Sequence, residues 1–208
     1  MSNIHTTKIY WDKKWQEKPK MPVNDFARKC YVTIKNKGFK KLLDLGCGLG
    51  ADSLYFARKG FQVTALDCSQ KALEKVNRLH PNIKIIQQDI RNLNFKNESF
   101  DLIYAHLSLQ YFNDQETTNI FNKLFSILKK GGYIFVKCKS INDPIYGKGK
   151  KMGKDMYRYK KGNHTRHFFS EEYMRNKLEK FKILKIRKSS LVYNKYKSNC
   201  IETIAMKD

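Results

Sequence analysis

The apolar run Lys40-Lys41-Leu42-Leu43-Asp44-Leu45 breaks into Gly46-Cys47-Gly48-Leu49-Gly50 and continues as a helical stretch from Ala51 to Lys59, stopped by Gly60. A strand that passes through a glycine turn into a helix cannot pair with its successor as a hairpin. The chain must cross over, so the next strand lies parallel to the first. The following residues keep that rhythm. Phe61 to Leu66, Ile83 to Gln87, Phe100 to Ala105 and Tyr133 to Cys138 read as further strands. Ser69, a good N-cap, opens a helix to about Leu79, which His80-Pro81-Asn82 breaks. Asp114 to Lys130 carries Ile120, Phe121, Leu124, Ile127 and Leu128 at helical spacing, with Gly131-Gly132 expected to cap it. Such alternation predicts an α/β fold with a mostly parallel sheet and helices on both faces.

The flanks fit one domain of 208 residues. Residues 1–38 read as an N-terminal arm or short helix, followed by a helix that Pro22 opens and that carries Phe26, Cys30 and Ile34 on one face. Residues 39–139 form the alternating core. Residues 140–167 hold four glycines and eight Lys or Arg against two acids, and read as a basic flap. In residues 168–208, Phe168 to Phe181 reads as a helix with Ser170 as N-cap, and Ile183 to Ile186 with Cys200 to Met206 as a closing antiparallel pair.

Composition excludes several classes. No apolar run approaches the length of a membrane span, and the first residues lack the apolar core of a signal peptide. The five cysteines are odd in number and widely spaced, so they make neither a disulfide framework nor a zinc knuckle, and a reduced, cytoplasmic setting is expected. The net charge of +23 is concentrated in the two flanks, and 34 of the 42 basic residues are Lys. That balance favours composition bias over a nucleic-acid footprint, which uses Arg for bidentate contacts, so nucleic acid stays a possible but unfavoured partner.

The chemistry-bearing motif is Asp44-Leu45-Gly46-Cys47-Gly48-Leu49-Gly50. Its glycines allow close backbone approach to a ligand, and the following helix presents free N–H groups. The GxGxG spacing departs from the dinucleotide GxGxxG, and an acid stands two residues before the first glycine. Asp67 ends the next strand, where ribose hydroxyls sit in such sheets. Asp89 follows the third strand and can accept from an adenine amino group, with Ile90 against the ring. Asp44 can take an ammonium directly or through water. Three acids on one sheet edge suit an adenosine joined to a cationic amino acid better than a pyrophosphate.

These residues, with Phe100-Asp101-Leu102-Ile103 and Gly131-Gly132-Tyr133, resemble class I S-adenosylmethionine-dependent methyltransferases over about residues 40–139. The resemblance implies a Rossmann-like seven-stranded sheet with the last strand antiparallel. It also implies S-adenosylmethionine as cofactor, the glycine turn cradling its methionine part, Asp67 at the ribose and Asp89 at the adenine. Cofactor contacts are thus expected from Asp44, Gly46, Cys47, Gly48, Asp67, Cys68, Asp89, Ile90 and Ala105, with Cys47 and Cys68 as small backbone-role residues rather than nucleophiles. Leu45-Gly46-Cys47-Gly48, Asp52-Ser53-Leu54-Tyr55, Gly60 to Thr64 and Arg166 to Ser170 look like the small-molecule and tellurite-resistance-type members. Members that methylate nucleobase or protein amide nitrogens often carry Pro-Pro-Tyr after the fourth strand, where this chain has Tyr104-Ala105-His106-Leu107.

His106 is the candidate general base, and packing on the cofactor is its alternative role. Tyr10, Trp11 and Trp15 are candidates for an aromatic lid, Tyr111 for the acceptor pocket, and Arg166 and His167 for an anionic acceptor. Phe112 reads more as core. His164 and His167 lack a carboxylate or Cys at ligand spacing, so no metal is expected. The Lys148–Lys161 cluster can attract acidic substrates or RNA or simply be solvated. The expected function is methyl transfer to a small molecule by a monomer or dimer. An RNA or protein methyltransferase and a non-catalytic cofactor-binding protein are the rival readings.

Overall fold

The computed structural model describes residues 4–18, 20–79, 82–159, 164–193 and 196–208. In chain order these form α1 (Ile4–Glu17), α2 (Asp25–Ile34), β1 (Lys41–Leu45), α3 (Ala51–Arg58), β2 (Gln62–Asp67), α4 (Gln70–Leu79), β3 (Lys84–Gln87), β4 (Phe100–His106), α5 (Asp114–Ile127), β5 (Leu128–Lys139), β6 (Lys150–Gly153), β7 (Met156–Arg158), β8 (Thr165–His167), α6 (Glu171–Lys177), β9 (Lys182–Tyr193) and β10 (Tyr196–Met206). Seven strands make one sheet in the order β3-β2-β1-β4-β5-β10-β9. β1 to β5 pair in parallel, and β10 runs antiparallel to both of its neighbours. The expected sheet, with its last strand reversed, is the one observed.

Alternation along each strand builds two cores. Leu42, Val63, Ala65, Leu102 and Tyr104 face Phe26, Cys30 and Ile34 of α2, Phe56 of α3 and Val76 of α4. Leu43, Leu45, Leu66, Ile103 and Ala105 face Ile120, Phe121 and Leu124 of α5 and Met174 of α6. This period of two is what a sheet covered on both faces requires. The order β3-β2-β1-β4 places a crossover on each side of β1, so the carboxyl ends of β1 and β4 open a crevice at a topological switch point.

Several boundaries differ from expectation. α2 opens at Asp25 rather than Pro22, because Asn24 is drawn away to α3, donating from its backbone N and Nδ2 to Asp52 at 2.9 and 2.8 Å. α5 stops at Ile127, and Gly131-Gly132 lie inside β5 rather than capping the helix. There a side chain on Gly132 would meet the Lys129 and Asp101 carbonyl oxygens at 2.8 and 2.9 Å, so the pair forms an irregularity in the strand. α6 is shorter than expected, and the closing pair much longer. The basic flap contains a three-stranded antiparallel sheet, β6-β7-β8. The predicted His80-Pro81 break and the Lys160, Lys161 and Gly162 part of the basic cluster lie outside the described residues.

Candidate active site

The glycine turn is tied to its neighbours before any ligand is considered. Gly46 and Cys47 donate from backbone N to the Leu66 carbonyl at 2.7 and 2.9 Å. Gly46 has φ 77° and packs so closely on Ser108 that a Cβ would collide with it. Gly48 has φ 53°, and a Cβ there would sit 3.0 Å from Cζ2 of Trp15. Both positions therefore demand glycine for conformation and for space.

The three predicted acids ring this turn. Asp67 is buried and its carboxylate accepts from Gly48 N and Ser69 N, each at 2.9 Å. Burial raises its pKa, and those two amides oppose the rise. Asp44 accepts from Ser53 Oγ at 2.5 Å. Burial, with Asp52 nearby, pushes its carboxyl up to about 8, so Asp44 is protonated over much of the neutral range. Asp89 is held by Arg91, whose N, Nε and guanidinium reach it at 2.9, 2.9 and 2.7 Å. Burial alone would raise the Asp89 pKa, but the Arg91 bonds outweigh it and hold the carboxyl below its ordinary range. Arg91 also reaches Glu116 at 3.2 Å, which fixes the loop against α5.

These residues border a cavity of about 600 Å³, well within the ~300–1,000 Å³ range of small-ligand sites. Asp44, Gly46, Cys47, Gly48, Asp67, Cys68, Asp89 and Ile90 are on its wall. Trp15 lies against Gly48 and Trp11 against Tyr111, and Tyr111 and Arg166 line the same cavity. A second cavity of about 250 Å³, between α5 and α6, is lined by Thr118, Phe121, Lys177 and Phe181 and carries no comparable set of groups.

The structure corrects three site expectations. Ala105 is fully buried in the α5-side core, because its neighbours Tyr104 and His106 take the cavity side of β4. His167 likewise points away from Arg166 on β8 and packs on Tyr173 and Phe169, with ring centroids 4.5 and 5.3 Å apart. Tyr10 is not among the lining residues; its ring packs on Trp11 at 5.1 Å and His164 at 4.7 Å. Phe112, read as core, serves both as core and as cavity wall.

Other lining residues escaped the sequence reading. Lys14 shares the α1 face of Trp11 and Trp15, and Lys18, just past the end of α1, lines the cavity beside it. Leu107, just after β4, holds φ 57°, an uncommon conformation for a non-glycine residue. Asp52 binds Asn24 and also the Tyr104 hydroxyl at 2.9 Å, clamping α2, α3 and β4 together beneath the cavity.

His106 ends β4 with Nε2 buried and without a hydrogen-bond partner. Its ring lies 6.3 Å from Tyr104 and 6.2 Å from Phe26. Burial pushes its pKa down to about 4; the Asp52 charge opposes the shift and Lys137 adds to it. The imidazole is therefore neutral at physiological pH. Ser108 Oγ is a second buried polar atom on the cavity lacking a partner. Together with the glycine cradle, these two atoms fit a polar ligand seated across β1 and β4.

Residues 42–132 match the family model described as a methyltransferase domain. Over these residues the chain resembles a methyltransferase domain. Phosphoethanolamine N-methyltransferase 3 of Arabidopsis thaliana is 36% identical over 101 residues, spanning 46% of this chain and 21% of that enzyme. The curated relatives it matches are thus covered over well under two thirds of their own length. Among solved structures, an S-adenosylmethionine-dependent methyltransferase from Methanosarcina mazei superposes with a TM-score of 0.76 at 20% identity, covering 90% of this chain and 99% of that one. TehB from Haemophilus influenzae gives 0.71 at 19% identity, covering 97% and 67%. S-adenosylmethionine is the cofactor named for the Methanosarcina mazei structure, and the acids, glycine turn and cavity of this chain suit it.

Proposed function

We propose that the protein is a methyltransferase acting on a small molecule, with donor and acceptor enclosed in one cavity. The observation that supports this reading is one cavity lined by Asp44, Asp67 and Asp89 together with the α1 aromatics, Trp15 lying against Gly48 and Trp11 against Tyr111. When bound, S-adenosylmethionine supplies a methyl group already activated on a sulfonium, for in-line displacement by the acceptor.

The chain's own residues then align, enclose and deprotonate. Asp67 and Asp89 take the ribose and adenine, and Ile90 packs on the ring. Asp44 takes the ammonium. Trp11 and Trp15 exclude water and place π faces near positive charge. His106, whose buried Nε2 has no partner on the cavity wall, is the candidate base for the acceptor's proton. Much of the catalysis comes from alignment and exclusion of water, which displacement from an activated donor chiefly needs. The name of the Arabidopsis relative, a phosphoethanolamine enzyme, agrees with a small acceptor.

The test follows tritium from methyl-labelled S-adenosylmethionine into a cell extract separated by size. Label in the small-molecule fraction is expected. Label confined to RNA or protein overturns the small-acceptor reading, and no label in any fraction leaves a cofactor-binding protein.

A further inference from the structure

The acids and several of the cations around the cavity are not paired with one another. Every acid on its wall is engaged locally: Asp44 by Ser53, Asp67 by two backbone amides, Asp89 by Arg91, Asp52 by Asn24 and Tyr104. Asp143 accepts from Lys139 Nζ at 2.9 Å and from the Ile145 and Asn199 amides. None of these acids reaches Lys14, Lys148, Arg166 or Lys197, which line the same cavity from four separate segments. Among the described residues, no carboxylate lies within ion-pair distance of those four cations. Lys14 sits instead over the Trp11 ring at 4.2 Å, and Arg166 over the Tyr159 ring at 5.1 Å. The Arg166 Nε–H is buried with no acceptor among the described residues. Burial and the neighbouring Lys18 and Arg166 charges depress the Lys14 ammonium, with Tyr111 and Asp67 opposing them. A buried, unpaired Arg166 N–H with the Lys14 charge beside it, and Lys148 and Lys197 on the same wall, is unfavourable until an anion joins them.

We infer that the methyl acceptor is a small organic anion whose carboxylate or phosphate is held by Arg166, Lys14, Lys148 and Lys197. The inference rests on the methyl-transfer reading above and specifies the acceptor for it. The aromatic panel of Trp11 and Tyr111, with ring centroids 4.9 Å apart, lies on the same side and suits an anion with an apolar body.

The experiment titrates the full chain, first saturated with S-adenosylhomocysteine, with benzoate, phenyl phosphate, neutral benzamide and a short oligouridylate. At least one small anion is expected to saturate, with benzamide at least about tenfold weaker. K148Q and K197Q, at exposed positions where folding is insensitive, should each weaken that anion about three- to tenfold, and R166Q more, all leaving S-adenosylhomocysteine affinity within about twofold. Preference between benzoate and phenyl phosphate tells carboxylate from phosphate. Equal binding of benzamide and the anions, or unchanged anion affinity in all three variants, overturns the inference. Binding of the oligouridylate alone overturns it in favour of RNA. Failure to bind S-adenosylhomocysteine in the first step is separately visible and brings down the methyl-transfer reading beneath it.

Discussion

Asp67 binds the glycine turn and faces the cavity, so one carboxylate both shapes the site and is expected to contact the ligand. Asp67→Ala should weaken S-adenosylmethionine binding by about 1–3 kcal/mol, read by calorimetry. Asp44 makes a sharper prediction. Its carboxyl is held up to about 8, so below that pH a cationic amino group must displace its proton to bind. Cofactor affinity should therefore rise with pH between about 6 and 8, and Asp44→Asn should bind more weakly with a flat profile. His106 behaves oppositely. Its pKa near 4 puts the acid limb of turnover well below the ordinary histidine range. Wild-type rates should show no His106 titration near neutrality, and His106→Ala should lower turnover while leaving cofactor affinity intact.

At the scale of elements, the predictable parts were those written in one contiguous stretch. Strand, glycine turn and acid lie within a few residues of one another at β1 and β2, so their roles follow from local pattern. The errors came from faces. Ala105 and His167 each neighbour a cavity residue on a strand, and adjacent strand residues point to opposite sides. Helical spacing on α1 would have added Lys14 to Trp11 and Trp15 and set Tyr10 aside, but only once the arm was read as a full helix. Of the basic residues on the wall, Arg166 and Lys148 were legible in the sequence, whereas Lys14 and Lys197 join the same cavity only through the tertiary fold. Gly50 offers a test at this scale. It has φ 73° at the start of α3, and a Cβ would meet Val76 at 2.6 Å. Gly50→Ala should lower thermal stability by about 1–3 kcal/mol through that clash and the left-handed backbone.

Across the whole molecule, the long closing pair anchors itself with buried charge. Glu202 on β10 takes Lys137 of β5 at 2.7 Å and Arg187 of β9 at 2.6 Å, joining three adjacent strands. Burial alone would raise the Glu202 pKa, but Lys137 and then Arg187 drive it down to about 2. A carboxyl depressed in the folded state contributes its stability above the unfolded pKa of about 4.5 and loses it as pH falls toward 2. Acid unfolding should accordingly sharpen across that window, and Lys137→Met should cost about 3 kcal/mol in denaturant titration by leaving the carboxylate half-satisfied. The same sheet holds its carboxyl edge beneath α1, and the hold is polar as well as aromatic. Lys75 of α4 donates to the Trp15 and Lys18 carbonyls at 2.6 and 2.9 Å, while Ser69 donates to Asp12 at 2.7 Å. With the proposed donor site lying under Trp15, lifting of that helix would widen the way out for spent cofactor. If that lifting sets the pace of turnover, a rapid first round of product followed by a slower steady rate is the expected trace.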